Sequence, residues 1–312
     1  RGLSRWFDRK GWAALLVGAP YLWLVVFFLL PFLIVIAMSV ATKTPTAPPY
    51  SIGGEHPWIN LGSFGRVLTD SLYLRALLTS VFSAMVAAIL CLLVGYPMAL
   101  GLTRVSKSWR NILLMLVILP FWTSFLLCVY AWMGLMGKNS WFNGLLTDTW
   151  NLLVPIDWAV KSVPMMNTNF AVVLVMVYTY LPFMILPLYA SLERLDPTLD
   201  EAAMDLGSKP WEVLKDVTLP IIMPAIMSGW LLAFTISLDD VVITNFTTGP
   251  GATTLPILIW SKVKLGVTPD INALASIVII LVGISVGIAG IIMNRAEKRR
   301  ERDIHLATAA NE

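Results

Sequence analysis

The sequence predicts an all-α membrane protein with six transmembrane helices. Three observations predict it: the composition, six long gaps between charges, and an uneven distribution of Lys and Arg. Of 312 residues, 57% are apolar and only 13% are charged, with mean hydropathy +0.76. An ordinary soluble domain is about 25% charged, so this composition excludes a disordered chain and argues against a soluble globular one. The net charge of +3, without a basic stripe, does not point to nucleic acid. Cys91 and Cys128 both lie in apolar runs and read as buried, reduced thiols. His56 and His305 are the only histidines and sit near opposite ends, which excludes a histidine-based metal site.

The uncharged stretches are 11–42, 76–103, 111–137, 162–192, 217–238 and 271–294. Each exceeds the roughly 20 residues that cross a bilayer core of about 30 Å at 1.5 Å per residue. Helices are expected near 13–38, 77–102, 111–135, 169–190, 221–246 and 273–294. The stretch 241–261 is also uncharged, but it holds Thr247, Thr248, Gly249, Pro250, Gly251, Thr253, Thr254 and Pro256. Its prolines would leave backbone groups unpaired in lipid. Residues 247–272 therefore read as a loop with a short re-entrant or interfacial helix at 254–261. The linkers 41–75 and 136–168, rich in Pro, Asn, Gly and Trp, read as surface loops.

Orientation follows from the cations. With the N-terminus inside, the cytoplasmic segments hold 15 Lys and Arg and the opposite side 7, so both termini are expected in the cytoplasm. Residues 1–12 form a cytoplasmic segment, 13–294 the transmembrane domain, and 295–312 a basic cytoplasmic tail. The first helix is too long for a signal-peptide core and reads as a retained anchor. The chain opens on Arg1, so its true start is expected upstream. In the sixth span, Gly283 and Gly287 permit close helix packing.

The connection 191–220 is long and acidic, with Glu193, Asp196, Asp200, Glu201, Asp205, Glu212 and Asp216 against three cations. Asp196 can cap a helix that opens with Pro197. Leu199, Ala202, Ala203 and Leu206 then recur on one stripe. Gly207 suits the left-handed residue that closes a helix. Ser208 can cap a second helix with Pro210 in its first turn, and Pro220 leads into the fifth span. The expectation is a helix–turn–helix hairpin projecting into the cytoplasm.

Here a resemblance enters. Glu201-Ala202-Ala203, then three residues, Gly207, then nine, then Val217-Thr218-Leu219-Pro220 resembles the EAA loop of permeases from binding-protein-dependent ABC importers. The family pattern is E-A-A-x3-G-x9-I-x-L-P, and Val217 alone departs from it. The resemblance implies the type I ABC importer permease fold, in which this hairpin docks into a cytoplasmic ATPase. Glu201, Ala202, Ala203, Asp205, Gly207, Leu219 and Pro220 become the coupling residues. The whole chain is similar to the polyamine (putrescine or spermidine) permeases. Pro20 to Leu24, Leu92-Leu93-Val94-Gly95-Tyr96-Pro97 and Leu119 to Leu126 resemble one of two paralogues. From about Asp200 onward, with Ser228 to Thr235, Ser237-Leu238-Asp239-Asp240 and Gly249 to Pro256, the chain is closer to the other.

No G-x-x-x-x-G-K-[ST] loop occurs; Gly134 to Lys138 comes nearest, with the wrong spacing. No HExxH, G-x-S-x-G or kinase signature is found either. The chain reads as a transport subunit and not an enzyme, with no cofactor of its own. The resemblance implies ATP and Mg on a partner, in two copies of an ABC ATPase. It further implies a second permease, paralogous or identical, and a periplasmic substrate-binding protein, all at the bacterial inner membrane.

Asp239 and Asp240 interrupt the fifth apolar stretch, about 27 Å beyond Ile221 on a helix. They read either as interfacial or helix-pairing carboxylates, or as an anionic rim that attracts a cation to the outer mouth. Trp122, Tyr130 and Trp132 in the third span, and Tyr178 and Tyr180 in the fourth, could offer ring faces to an ammonium group. Interfacial anchoring or helix packing is the competing reading for each. Rival functions are import of another small cationic or organic solute, and an ion-coupled secondary transporter.

Overall fold

The protein is described by a computed structural model that covers residues 18–44, 49–51, 59–153, 160–249, 253–280 and 284. Along the chain come α1 (Gly18–Ser39), two-residue strands β1 (Thr42–Lys43) and β2 (Tyr50–Ser51), and α2 (Gly62–Thr69). Then follow α3 (Ser71–Arg104), α4 (Lys107–Trp122), α5 (Phe125–Met136), α6 (Trp141–Leu153) and α7 (Asn169–Leu192). The rest are α8 (Pro197–Asp205), α9 (Pro210–Leu238), α10 (Val242–Thr247), α11 (Leu255–Leu265) and α12 (Pro269–Ile280). The antiparallel pairing of β1 with β2 is the one departure from helix and loop among the described residues.

Helices α1, α3, α7 and α9 are each long and apolar enough to span a bilayer, and α4 with α5 makes a fifth if the bent pair is one span. Six spans are therefore more than the described residues provide. The expected third span, 111–135, is corrected: its axis turns by 96° between Trp122 and Phe125. Thr123 and Ser124 have extended backbone there. The Thr123 hydroxyl donates to the Pro120 carbonyl at 3.0 Å, a local bond that competes with the helical ladder. The expected fifth span, 221–246, is also corrected. Its helix begins at Pro210, stops at Leu238, and leaves α10 as a separate piece. Of the expected sixth span, 273–294, residues up to Ile280 are helical. Residues 281–283 and 285–294, with Gly283 and Gly287, lie outside the described residues, as do segments 1–12 and 295–312. The short helix expected at 254–261 is present as α11, but the expected loops are corrected: α12 already begins at Pro269, α2 and the start of α3 occupy part of 41–75, and α6 part of 136–168.

Two of the prolines share one local solution. Pro31 follows a π-helical turn at Val25–Leu29, and Pro220 follows one at Leu214–Thr218. A proline ring clashes with the carbonyl four residues back, here Phe27 and Asp216. Widening that turn makes room, so neither helix breaks.

The chain divides into two compact units, one of residues 72–260 and one of 1–71 with 261–312. In the larger unit the core forms around α7. Ala84, Ala87, Ala88, Cys91 and Gly95 place a small-residue stripe along α3 at helical spacing. It lets α3 approach so closely that the Cys91 thiol reaches the Val177 carbonyl at 3.7 Å. A side chain on Gly95 of α3 or Gly229 of α9 would meet Met184 at 3.0 or 3.1 Å. Small residues thus admit both neighbours against one buried Met, the packing mode of helices in lipid. Other large apolar side chains of these helices point outward, among them Phe82, Leu93, Phe170 and Leu231. Their exposure suits a surface solvated by lipid.

The smaller unit is tied by one acid. Asp270, buried at the start of α12, accepts from Lys43 Nζ at 3.0 Å and from Arg66 Nε and Nη2 at 3.0 and 2.7 Å. Arg66 also donates to Ser63 Oγ at 2.9 Å. Burial acts to raise the Asp270 carboxyl, but the bonds and charges of Lys43 and Arg66 outweigh it and hold the group below its usual 3.8. A depressed carboxylate stabilises the fold above its unfolded value, and that contribution disappears as pH falls through the folded value. Asp270→Asn is expected to lower thermal stability at neutral pH by ~1 kcal/mol, since both cations are half exposed and screened. The gap to the wild type should close in acid below pH 3.8. Equal melting temperatures at pH 7 would refute the clamp.

Candidate functional site

The acidic connection folds as a closed hairpin. Asp196 Oδ1 accepts from the Thr198 N–H at 3.0 Å, which caps α8 and holds the Asp196 carboxyl below the usual carboxylate range. The helix ends in two nested bonds, Gly207 N–H to the Met204 carbonyl at 2.9 Å and Ser208 N–H to Ala203 at 3.1 Å. That pairing requires a left-handed residue, and Gly207 has φ +93°. The cap of the second helix is Lys209 rather than the expected Ser208, because its N–H is taken by Glu212 Oε2 at 2.8 Å.

Of the stripe anticipated on α8, Leu199, Ala202 and Leu206 are exposed and Ala203 is half-buried, while the neighbouring Met204, itself exposed, lines a cavity toward the spans. Leu206 is exposed to 88%, and Trp211 on the second arm to 70%. Glu201, Ala202, Asp205, Gly207 and Pro220 are exposed, while Ala203 and Leu219 are half-buried. Exposed apolar residues rimmed by polar ones, here Glu201 and Asp205, mark an interaction surface.

Ties to the spans come from pairings that the sequence did not reveal. Thr218 donates to Asp200 Oδ1 at 3.2 Å across the two arms. Arg110, at the start of α4, pairs with Glu193 at 2.8 Å and donates to the Thr103 carbonyl at 3.2 Å. Between the hairpin and the ends of α3, α4 and α7 lies a cavity of about 560 Å³. No spacing signal identifies these contacts, because each joins side chains from separate helices.

The two adjacent acids occupy different environments. Asp239 ends α9 and is exposed. Asp240 is buried and accepts from Tyr180 OH at 3.0 Å, Thr244 N–H at 2.9 Å and Thr244 Oγ1 at 3.1 Å. Both lie in the break between α9 and α10, not within a continuous helix. The break follows from Asp240 itself, whose carboxylate takes an N–H of the next helix and so starts a new one.

The aromatic candidates divide as well. Trp132 and Tyr178 meet edge to face at 5.4 Å, beside the bend of the α4–α5 pair. With Thr123, Cys128 and apolar neighbours they line a groove of about 310 Å³. Tyr130 is exposed and contacts Phe246 of α10 at 5.4 Å. Trp122 is exposed to 75% at the end of α4, and Tyr180 is buried against Asp240. Among the described residues no cluster of His, Cys, Asp and Glu could hold a metal ion.

Comparison with known proteins adds the following. Residues 10–303 match the family described as "binding-protein-dependent transport system inner membrane component". The chain is 60% identical over 116 residues to the putrescine transport system permease protein PotI of Escherichia coli strain K12. That match spans 37% of this chain and only 41% of the relative. It is 37% identical over 219 residues to the spermidine/putrescine transport system permease protein PotB of Haemophilus influenzae, covering 69% of this chain and 71% of the relative. A chain in the crystal structure of a bacterial ABC transporter involved in the import of the acidic polysaccharide alginate superposes with TM-score 0.67. The identity is 19%, over 95% of this chain and 99% of the other, so the likeness is one of fold.

Proposed function

The chain belongs to the family of binding-protein-dependent transport system inner membrane components, and from that premise we propose that it forms half of an ATP-driven import pathway for a polyamine, putrescine or spermidine. The observation that carries the coupling half of this reading is the hairpin: a helix capped at both ends that leaves Leu199 and Leu206 exposed. The permease names of two separate relatives support the substrate class.

On this reading Glu201 to Gly207 dock into one of two cytoplasmic ABC ATPase subunits, which hold the ATP and Mg. The termini and hairpin lie in the cytoplasm, in keeping with the excess of Lys and Arg there. A second permease, paralogous or identical, completes the pathway about a pseudo-two-fold axis. A periplasmic binding protein delivers the substrate. ATP-driven closure of the ATPases moves the hairpins and reorients the spans. Asp239 supplies negative charge at the outer mouth, while Asp240 and Tyr180 hold the break that presents it. Trp132 and Tyr178, with Tyr130 and Trp122 outside them, offer ring faces to the ammonium groups.

One observation favours the rival ion-coupled carrier: the α4–α5 pair is a broken helix, as such carriers use at their ion sites. That rival leaves the hairpin without a task. Proteoliposomes holding the full complex distinguish the two. Putrescine uptake that requires internal ATP and the binding protein is the expected result. Uptake driven by a proton or sodium gradient without ATP would sink the importer reading.

A further inference from the structure

Tyr96 belongs to the run Gly95-Tyr96-Pro97 near the hairpin end of α3, and the proposed function gives it no task. Its hydroxyl is closed off from solvent and has no hydrogen-bond partner among the described residues. A buried hydroxyl is rarely left so. Tyr96 nonetheless lies within electrostatic reach of Asp200 on the hairpin and of Arg104. Tyr96 and Asp200 line the same cavity of about 560 Å³. Asp200 meanwhile accepts the Thr218 hydroxyl at 3.2 Å, a long bond for two oxygens.

Thr218 closes the π-helical turn Leu214–Thr218, which makes room for Pro220 and is a widening of a kind frequent at functional sites. The Nε of Arg110, which lines the same cavity, is also buried without a hydrogen-bond partner among the described residues. The hairpin thus adjoins a widened turn and a cavity lined by Asp200, Thr218, Tyr96 and Arg110, the last two with buried polar atoms that lack a partner among the described residues.

We propose that Tyr96 is a positioning residue for the hairpin: Asp200 exchanges the Thr218 hydroxyl for the Tyr96 hydroxyl when the hairpin swings into the cavity, so that α3 and the hairpin have two bonded arrangements. In the first, Thr218 donates to Asp200 and Tyr96 is idle. In the second, Tyr96 donates to Asp200 and ties the hairpin to the end of the span. No atom is gained or lost, and only the donor changes. A two-position element of this kind is what a coupling device requires, since transmitted motion needs discrete states to select between. The inference rests on the hairpin being the coupling element.

The test uses the complete importer complex with spin labels on Lys107 and Lys215, both exposed. Tyr96→Phe removes the donor of the second arrangement, and Thr218→Val that of the first, each at nearly constant shape. The distance distributions of the two variants should shift in opposite directions from the wild type. Each should also lower the putrescine imported per ATP hydrolysed by about threefold or more, with assembly unchanged. Shifts in the same direction, or none, overturn the exchange. Gly207→Val in the same assay separates this failure from that of the coupling reading. If Gly207→Val uncouples transport while the other two variants behave as wild type, the exchange is wrong and the hairpin assignment stands. If Gly207→Val is also without effect, both fall together.

Discussion

Gly207→Val is expected to abolish coupled uptake while leaving the chain folded and inserted. Gly207 sits at φ +93°, and a Cβ there would meet nothing within 4 Å. The cost is therefore not a clash with neighbours. It is the backbone conformation itself, which L side chains disfavour by about 1–2 kcal/mol, and more for a β-branched residue. A penalty of that size reduces occupancy of the native turn by a factor of about 5–30. The turn sets the angle between α8 and α9 through the bonds of Gly207 to Met204 and Ser208 to Ala203, beside the Thr218–Asp200 bond that joins the two arms. Once it opens, the apolar stripe of Leu199 and Leu206 no longer points where the second arm aims it.

The expected readout is a split. Putrescine uptake by proteoliposomes should fall about tenfold or more, and substrate-stimulated ATP hydrolysis with it, while purification yield and helical content stay at the wild-type level. Gly207→Ala should fall between the two, because alanine pays the left-handed cost without β-branching. Uptake at the wild-type rate in the valine variant would remove Gly207 from the coupling pathway. The stripe offers an independent check, since Leu206→Glu leaves the turn intact and should lower affinity for the ATPase instead.

How much of this was legible in the sequence depends on the range of the interaction. The hairpin was legible because its signals are local: Asp196 before Pro197, a stripe at helical spacing, and Gly207 at the end. Even there the second cap moved from Ser208 to Lys209, because Glu212 two residues inside the helix competes for the N–H. Charge gaps located α3 and α7 to within several residues at each end, and the end of α1 equally well, since lipid constrains length more tightly than it constrains sequence. They did not foresee the 96° bend after Trp122, where the side chain of Thr123 competes with the backbone inside an apolar run. Hydropathy averages over such a position. The ties of Asp270 to Lys43 and Arg66, 227 and 204 residues away, leave no periodic trace at all. The site was less legible than the fold for the same reason, as Tyr180 finds Asp240 only after two spans pack.

Asp240→Ala is expected to prevent assembly, whereas Asp239→Asn should leave assembly intact and weaken cation uptake. The carboxylate of Asp240 receives the Tyr180 hydroxyl, the Thr244 N–H and the Thr244 hydroxyl in a buried site. Truncation to alanine strands the Tyr180 hydroxyl and the Thr244 N–H. Each buried orphan costs about 1–3 kcal/mol, together a large share of a typical domain's 5–15 kcal/mol. Asp240→Asn is a sharper probe. Its amide oxygen can still accept from Thr244, and its NH₂ can donate to the Tyr180 oxygen, because a tyrosine hydroxyl both donates and accepts. That variant should therefore assemble, and adding Tyr180→Phe should cost it the bond to Tyr180 while the Thr244 bonds stay. Asp239 has no such role, being exposed at the end of α9. One unit charge at about 4 Å in water is worth about 1 kcal/mol, so its removal should reduce putrescine uptake at low substrate by about fivefold. The loss should shrink in high salt, which screens an exposed charge but not a buried bond. If Asp239→Asn takes up putrescine as the wild type does, the outer rim is not built from this acid. If Asp240→Ala assembles normally, the break between α9 and α10 is held by packing rather than by its carboxylate.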